Sequence, residues 1–447
     1  MSYSKVAIIL LFELGFGIKF NFVGMISISE LFLLVFVPLF ILPKVKWEDA
    51  VDLKKITFAY TVLLTFQVIS EFIVGNNLSS ALKGIAITVV SYLHFMFLVY
   101  YLSRQKLLIL VLVVVQIARM VIFGADVEEQ SIEDVMQGVG ATYLKFYISP
   151  IVILLLLALS MIFRYKYFSV LFSLLGVALI ILGSRSSGGI ALIAGLVTYM
   201  LEHRIFTYNR KTIVVSLVFV CVVGYAFYAY YVNRVLSGEI TSGNSRQVFL
   251  CSNPYNPLEL LMAGRSEVWI GWQAFMDKFW YGHGAWAYDS SGRYQRMMLA
   301  MHDELSTFTR NQVSYHFLIP SHSVLIGSGM MNGVFAFLST GAIVAYFLRK
   351  GVLSFVRCDN RYKLVLVYYV MDLFWTTMFS PQSHFRITMP VAFAIIFVLS
   401  ASVENKKAVE ARRSMAVRYA AFRAVKTVFY HAKHDISEIE KPPFASK

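Results

Sequence analysis

Apolar stretches recur along almost the whole of this chain, and they constrain its fold more than any motif it carries. A hydrocarbon core of about 30 Å takes roughly 20 helical residues, and backbone polar groups inside it must be satisfied within the segment. Candidate spans run over 6–22, 27–43, 56–75, 83–102, 107–124, 148–163, 167–183, 189–202, 212–232, 322–347, 362–379 and 388–403, about twelve in all. The first and eighth are the weakest, being short or interrupted by charge. The chain is 58% hydrophobic and only 15% charged over 447 residues, too little polar surface for a soluble protein of that size. The sequence therefore predicts an all-α polytopic membrane protein.

Lys and Arg in the short loops set the orientation. One alternate set of loops holds "PKVKWEDAVDLKK", "SRQK", "RYKY", "EHRIFTYNRKT" and "LRKGVLSFVRCDNRYK". The other holds "VGNNLSSALK", the acidic "ADVEEQSIEDVMQ" and "SPQSHFRIT". The first set is the basic one, so it faces the cytoplasm, with both termini inside. The N-terminus lacks a small-residue cleavage site and reads as an uncleaved first helix. The predicted organisation is helices 1–9 over 1–233, one large outer segment over 234–320, helices 10–12 over 321–403, and a basic cytoplasmic tail over 404–447.

The net charge of +14 does not come from the outer segment, where Lys/Arg and Asp/Glu are equal at seven each. It comes from the cytoplasmic loops and the tail. In "ENKKAVEARRSMAVRYAAFRAVKTVFYHAK" basic residues outnumber acidic ones eight to two. Met415, Tyr419, Phe422 and Phe429 recur there at helical spacing, which suits an amphipathic helix on an anionic leaflet. Nucleic-acid binding is not indicated. Cys221, Cys251 and Cys358 fall in three different compartments, so no disulfide is expected.

No P-loop, zinc-ligand spacing or nucleophile elbow is present. What remains is a set of cations and histidines on the outer face. Arg185 sits in "ILGSRSSGGIALIAGL", a tight bend between two apolar runs. Arg265 opens "AGRSEVWIGWQAFMDKFWYGHGAWAY", where Val268, Trp269, Trp272, Phe275, Met276 and Phe279 form one apolar stripe. His322 lies in "IPSHSVLIGSGMMNGVFAFL", where the outer segment re-enters the membrane. Each has a plainer reading. Arg185 can cap helix carbonyls and snorkel, Arg265 can pair with a surface carboxylate, and His322 can be satisfied by backbone. A charge at membrane depth costs on the order of 2.5 kcal/mol or more, which argues for a functional reason at Arg185.

The three elements, in this order and on one side, resemble the O-antigen polymerase and O-antigen ligase superfamily of membrane glycan transferases. The resemblance is concentrated in 181–200 and 264–337. One departure is His322-Ser323, where many relatives carry His-Asn. The resemblance implies a bacterial inner-membrane protein with one large periplasmic segment. It would act on an oligosaccharide carried by undecaprenyl diphosphate, without a cofactor or metal. It further implies that Arg185 and Arg265 grip the leaving diphosphate and that His322 is the base for the acceptor hydroxyl. An imidazole with an ordinary pKa near 6.5 suits that role. His283 and His384 are alternative bases, and Arg386 is a third phosphate contact. Tyr281, Trp286 and Tyr288 are candidates for stacking on sugar rings. A chain-length regulator is an implied partner, besides membrane lipids.

Polymerase ranks first, and ligase transfer to lipid A–core second. Transfer to a protein acceptor is a third form of the same chemistry. A lipid-linked oligosaccharide transporter is the contrasting class, though no internal two-fold repeat supports it. A metal-dependent variant would rest on Asp126, Glu128 and Glu129 in "GADVEEQSIED".

Overall fold

The structure, a computed structural model, describes residues 3–21, 24–45, 47, 50–124, 143–163, 167–182, 184–203, 210–240, 246–249, 251–263, 265–301 and 318–401. These residues are mostly helical. Helix α1 (Tyr3–Gly15) leads into a hairpin of β1 (Lys19–Asn21) and β2 (Met25–Ser27), antiparallel with Lys19 opposite Ser27. The apolar run expected to be a span over 6–22 thus leaves the helix at Gly15. The hydroxyl of Ser29 donates to the Phe12 carbonyl, which a longer helix would have used. A Cβ at Gly15 would stand 2.5 Å from that same hydroxyl oxygen.

Helix α2 (Ile28–Phe36) begins at a capping box. Glu30 N–H donates to the Ser27 side chain and Ser27 N–H donates to the Glu30 carboxylate. It continues through a π-turn at Val37–Ile41, where Pro38 removes a backbone donor. There follow α3 (Val51–Val74), α4 (Leu78–Leu102) and α5 (Leu108–Phe123), then a π-helical turn (Leu144–Ile148) opening α6 (Ser149–Phe163). Next come α7 (Phe168–Ile181), α8 (Arg185–Glu202) and α9 (Arg210–Leu236). Four shorter helices, α10 (Arg246–Phe249), α11 (Pro257–Ala263), α12 (Ser266–Asp277) and α13 (Arg293–Met301), precede α14 (Val324–Ser354), α15 (Asn360–Phe379) and α16 (Thr388–Ala401).

Four of the described helical segments are long and apolar enough to cross a membrane: α3, α4, α6 with its π-turn, and α14. Helices α5, α7 and α16 are apolar but shorter. The chain is an all-α protein whose apolar helices suit a membrane. By its contacts it divides into two units, Met1–Leu399 and Ser400–Lys447. The basic stretch from 404 lies outside the described residues.

Helices α7 and α8 approach each other through small residues. A Cβ on Gly176 would fall 2.4 Å from Leu192 N, and one on Gly188 would fall 2.7 Å from Gly176 O. Such backbone contact is how apolar helices gain packing energy where lipid offers no hydrophobic drive. Gly176→Leu is therefore expected to destabilise the detergent-solubilised protein by about 1–3 kcal/mol. Thermal unfolding checks this, and an unshifted transition would mean that the two backbones part easily.

Helix α14 is broken. Gly333 has φ 80° and ψ −175°, outside helical space, and the turn after α12 fills the gap. His283 N–H donates to Met330 O and Gly284 N–H to Met331 O, while Val334 N–H donates to Phe279 O, each at 2.8 Å. A Cβ on Gly333 would meet the Trp280 carbonyl oxygen at 2.1 Å, so only glycine fits. The buried carboxylate of Glu71 ties this junction to α3. It accepts from Ala285 N–H (2.7 Å), Asn332 Nδ2 (3.1 Å) and Asn76 Nδ2 (2.6 Å).

Candidate functional site

Arg265 and Ser323, the residue after His322, both reach the last turns of α15. Arg265 immediately precedes α12, and its guanidinium faces the rings of Trp375 (5.6 Å) and Phe379 (5.9 Å) in the last turns of α15. Helix α12 lies across the 320–321 segment, with Gly271 close to Pro320 O and Ser321 Cα. His322 follows directly. Ser323 then caps α14, accepting from Ile326 N–H (3.2 Å) and donating to Thr377 O (3.0 Å). Asn caps helices as well as Ser does, so the His-Ser pair keeps the capping function that His-Asn would supply.

The guanidinium of Arg265 makes no hydrogen bond or ion pair among the described residues. It is half-buried, and burial works against its charge, with Glu267 the nearest compensating carboxylate. Aromatic faces hold the plane of such a group while leaving its N–H fork free. His322 is half-buried as well and has no hydrogen-bond partner among the described residues. A guanidinium fork and an imidazole without partners among the described residues can receive an anion and a proton, respectively.

Arg185 is the first residue of α8. Its Nη2 donates to the Tyr231 hydroxyl, and its Cζ lies 4.6 Å from the centre of that ring. Helix α8 packs on α15, yet no described contact joins Arg185 to Arg265 or His322.

Other predicted site residues are engaged in the fold. Arg386 forms a two-pronged pair with the buried Glu30 and donates to Met25 O at 2.9 Å. It pins the hairpin rather than standing open to phosphate. His384 Nδ1 lies 3.0 Å from Thr388 Oγ1. Trp286 adopts φ 56° and, partly buried, packs on the main core with its indole N–H buried. Tyr281 and Tyr288 remain exposed at 42% and 55%; Tyr288 also pairs with Leu318 in a β-bridge.

His283 is a pin. Its Nε2 lies 2.9 Å from the Ala274 carbonyl, an acceptor, so the neutral ring must carry its proton on Nε2. Burial pushes its pKa below the ordinary value, the Ala274 contact opposing in part. A depressed histidine is protonated more readily in the unfolded chain. Its stabilising effect is therefore full above about pH 6.5 and declines as pH falls below that. His283→Gln, which can still donate to Ala274, is expected to flatten the acid limb of the melting-temperature profile. An unchanged acid limb would assign the loss to other groups.

Two residues escaped the sequence reading. Glu71, read as part of a span, organises the α14 break. Lys145, in the π-turn before α6, is within electrostatic range of Arg265 and Glu267. Its signal was visible, for it is a lysine at the start of an apolar run on the side that the loop charges assign to the outside. Among the described residues no three His, Cys, Asp or Glu converge on a metal position. Asp126, Glu128 and Glu129 lie outside the described residues.

The described residues form a helical protein with apolar helices suited to a membrane and a half-buried arginine, Arg265, facing aromatic rings at the end of α15. No protein-family model and no curated protein matches this chain.

Proposed function

We propose that this chain is a bacterial inner-membrane glycosyltransferase, and specifically an O-antigen polymerase joining undecaprenyl-diphosphate-linked repeat units on the periplasmic face. The observation that carries the reading is Arg265, a guanidinium without a hydrogen bond or ion pair among the described residues, facing two aromatic rings at the end of α15 to which Ser323, next to His322, is bonded. The acceptor hydroxyl oxygen attacks the anomeric carbon as its proton passes to His322. The bond from that carbon to the diphosphate oxygen breaks, and its electron pair leaves with the lipid diphosphate. A cation preorganised at the departing oxygen lowers the barrier, and direct displacement inverts the anomeric centre. No metal is invoked.

The twelve-span topology is part of the proposal, and long-range contacts support it. Lys350 with Asp52, and Arg361 with Met161 O at 2.8 Å, join segment ends assigned to the cytoplasmic side. Arg386 with Glu30, and Asn76 with Ala285 O at 2.9 Å, join segments assigned to the outer side. The test is purified full-length protein in nanodiscs with a synthetic lipid-linked repeat unit. A ladder of longer glycans, unaffected by chelator, is expected. Product found only when lipid A–core is added would make it a ligase, and no product from the matched repeat unit would overturn the enzymatic reading.

A further inference from the structure

Helices α3 and α14 pack together and are tied at both ends. Lys350 pairs with Asp52 at one end, and Asn332 Nδ2 donates to the buried Glu71 carboxylate at the other (3.1 Å). At 1.5 Å per residue, Asp52 and Glu71 stand about 28 Å apart along α3, and Asn332 and Lys350 about 27 Å apart along α14. Between Lys55 and Glu71, and between Asn332 and Arg349, there is no charged residue or histidine. Two apolar stretches of equal length, with polar ties only at their ends, match a hydrocarbon core of about 30 Å. Helix α14 in full has 31 residues, about 46 Å of helix, so part of it must stand outside that core. Its break at Gly333 falls where the excess begins.

The turn after α12 fills that break, which brings α12 to the same level. One face of α12 is packed: Phe275 stacks on Phe337 at 5.2 Å, with Ile270 and Ala274 buried beside it. The next face carries Trp269, Trp272 and Met276, with Trp280 just beyond the helix end, and it is exposed, Trp269 by 50% and Trp280 by 66%. Trp280 approaches Phe335 of α14 (6.4 Å), and Phe335 stacks on Phe66 of α3 (4.5 Å). The exposed tryptophans are thereby continuous with the apolar surface of two helices long enough to cross a membrane. Along the polar edge of α12, Gln273 donates to Asp277, and Arg293 pairs with Asp277.

We propose that α12 is an interfacial helix, its tryptophan face seated in the outer lipid leaflet at the level of Gly333. Tryptophan favours that boundary, where the ring meets acyl chains and the indole N–H meets headgroups. A helix with one such face and a polar edge lies in the plane of the interface. Arg265, at the start of α12, is then held at headgroup depth. The inference rests on the membrane-spanning topology above and not on the transfer chemistry.

The test is tryptophan emission from the full chain in nanodiscs, comparing the unmodified protein with Trp269→Phe and Trp280→Phe, singly and together. Phe keeps an apolar ring at each position, and the emission lost on replacement reports those two tryptophans. That emission is expected to be quenched several-fold more by lipids brominated high on the acyl chain than by lipids brominated near its end, and little by aqueous iodide. Quenching by iodide and not by brominated lipid overturns the proposal and marks a face open to another protein. Stronger quenching by the deep bromines overturns the boundary at Gly333. No substrate enters the measurement, so shallow quenching in a protein that makes no glycan supports the interfacial helix while the enzymatic reading falls.

Discussion

Arg265→Gln is expected to lower glycan transfer by about 10²–10³-fold, the usual loss when one preorganised group at a developing negative charge is removed. A guanidinium near the rings of Trp375 and Phe379 can engage two phosphate oxygens with its planar fork, so Arg265→Lys should recover little despite keeping the charge. The loss should appear in kcat, because the charge on the leaving oxygen grows only as the bond breaks. Arg386→Gln is the informative contrast. It breaks the pair with the buried Glu30, so thermal stability should fall more than the turnover of the folded fraction. Turnover of Arg265→Gln within a few-fold of the unmodified protein would remove Arg265 from the chemistry.

Arg119→Leu is expected to produce the largest loss of stability, about 3–5 kcal/mol, because it strands a buried carboxylate. Glu13 on α1 is fully buried; its carboxylate lies 3.5 Å from Arg119 on α5 and 3.8 Å from His94 on α4. Phe12 and Phe16 pack against the His94 ring at 5.3 and 5.0 Å, which keeps the group away from solvent. The double replacement Glu13→Leu with Arg119→Leu should regain most of the loss, since two apolar side chains need no partner there. Thermal unfolding of the detergent-solubilised single and double variants checks both expectations. A neutral Arg119→Leu would show that another group compensates Glu13.

Several features were legible because each depends on local pattern. Apolar runs of bilayer length gave the helical class, since a segment in lipid must satisfy its own backbone. The amphipathic stripe after Arg265 gave α12, and the Ser-rich bend gave the start of α8 at Arg185. Paired glycines such as those of "YGHGAWAY" are a local turn signal, and Gly282 and Gly284 adopt positive φ. The early end of α1 was not legible, because it depends on Ser29 folding back onto Phe12. The break in α14 was equally hidden. A glycine inside an apolar helix reads as close packing until the Phe279–Gly284 turn is seen to occupy the gap.

By itself the sequence determined that this chain is helical and apolar, and which side of a membrane the basic loops would favour. Those properties arise from residues close together in the chain. Only the tertiary structure decided which cations remain open to a ligand, because a guanidinium is spent or free according to what another helix sets against it. Glu30 engages Arg386, Tyr231 engages Arg185, and α15 offers Arg265 two aromatic rings and no carboxylate.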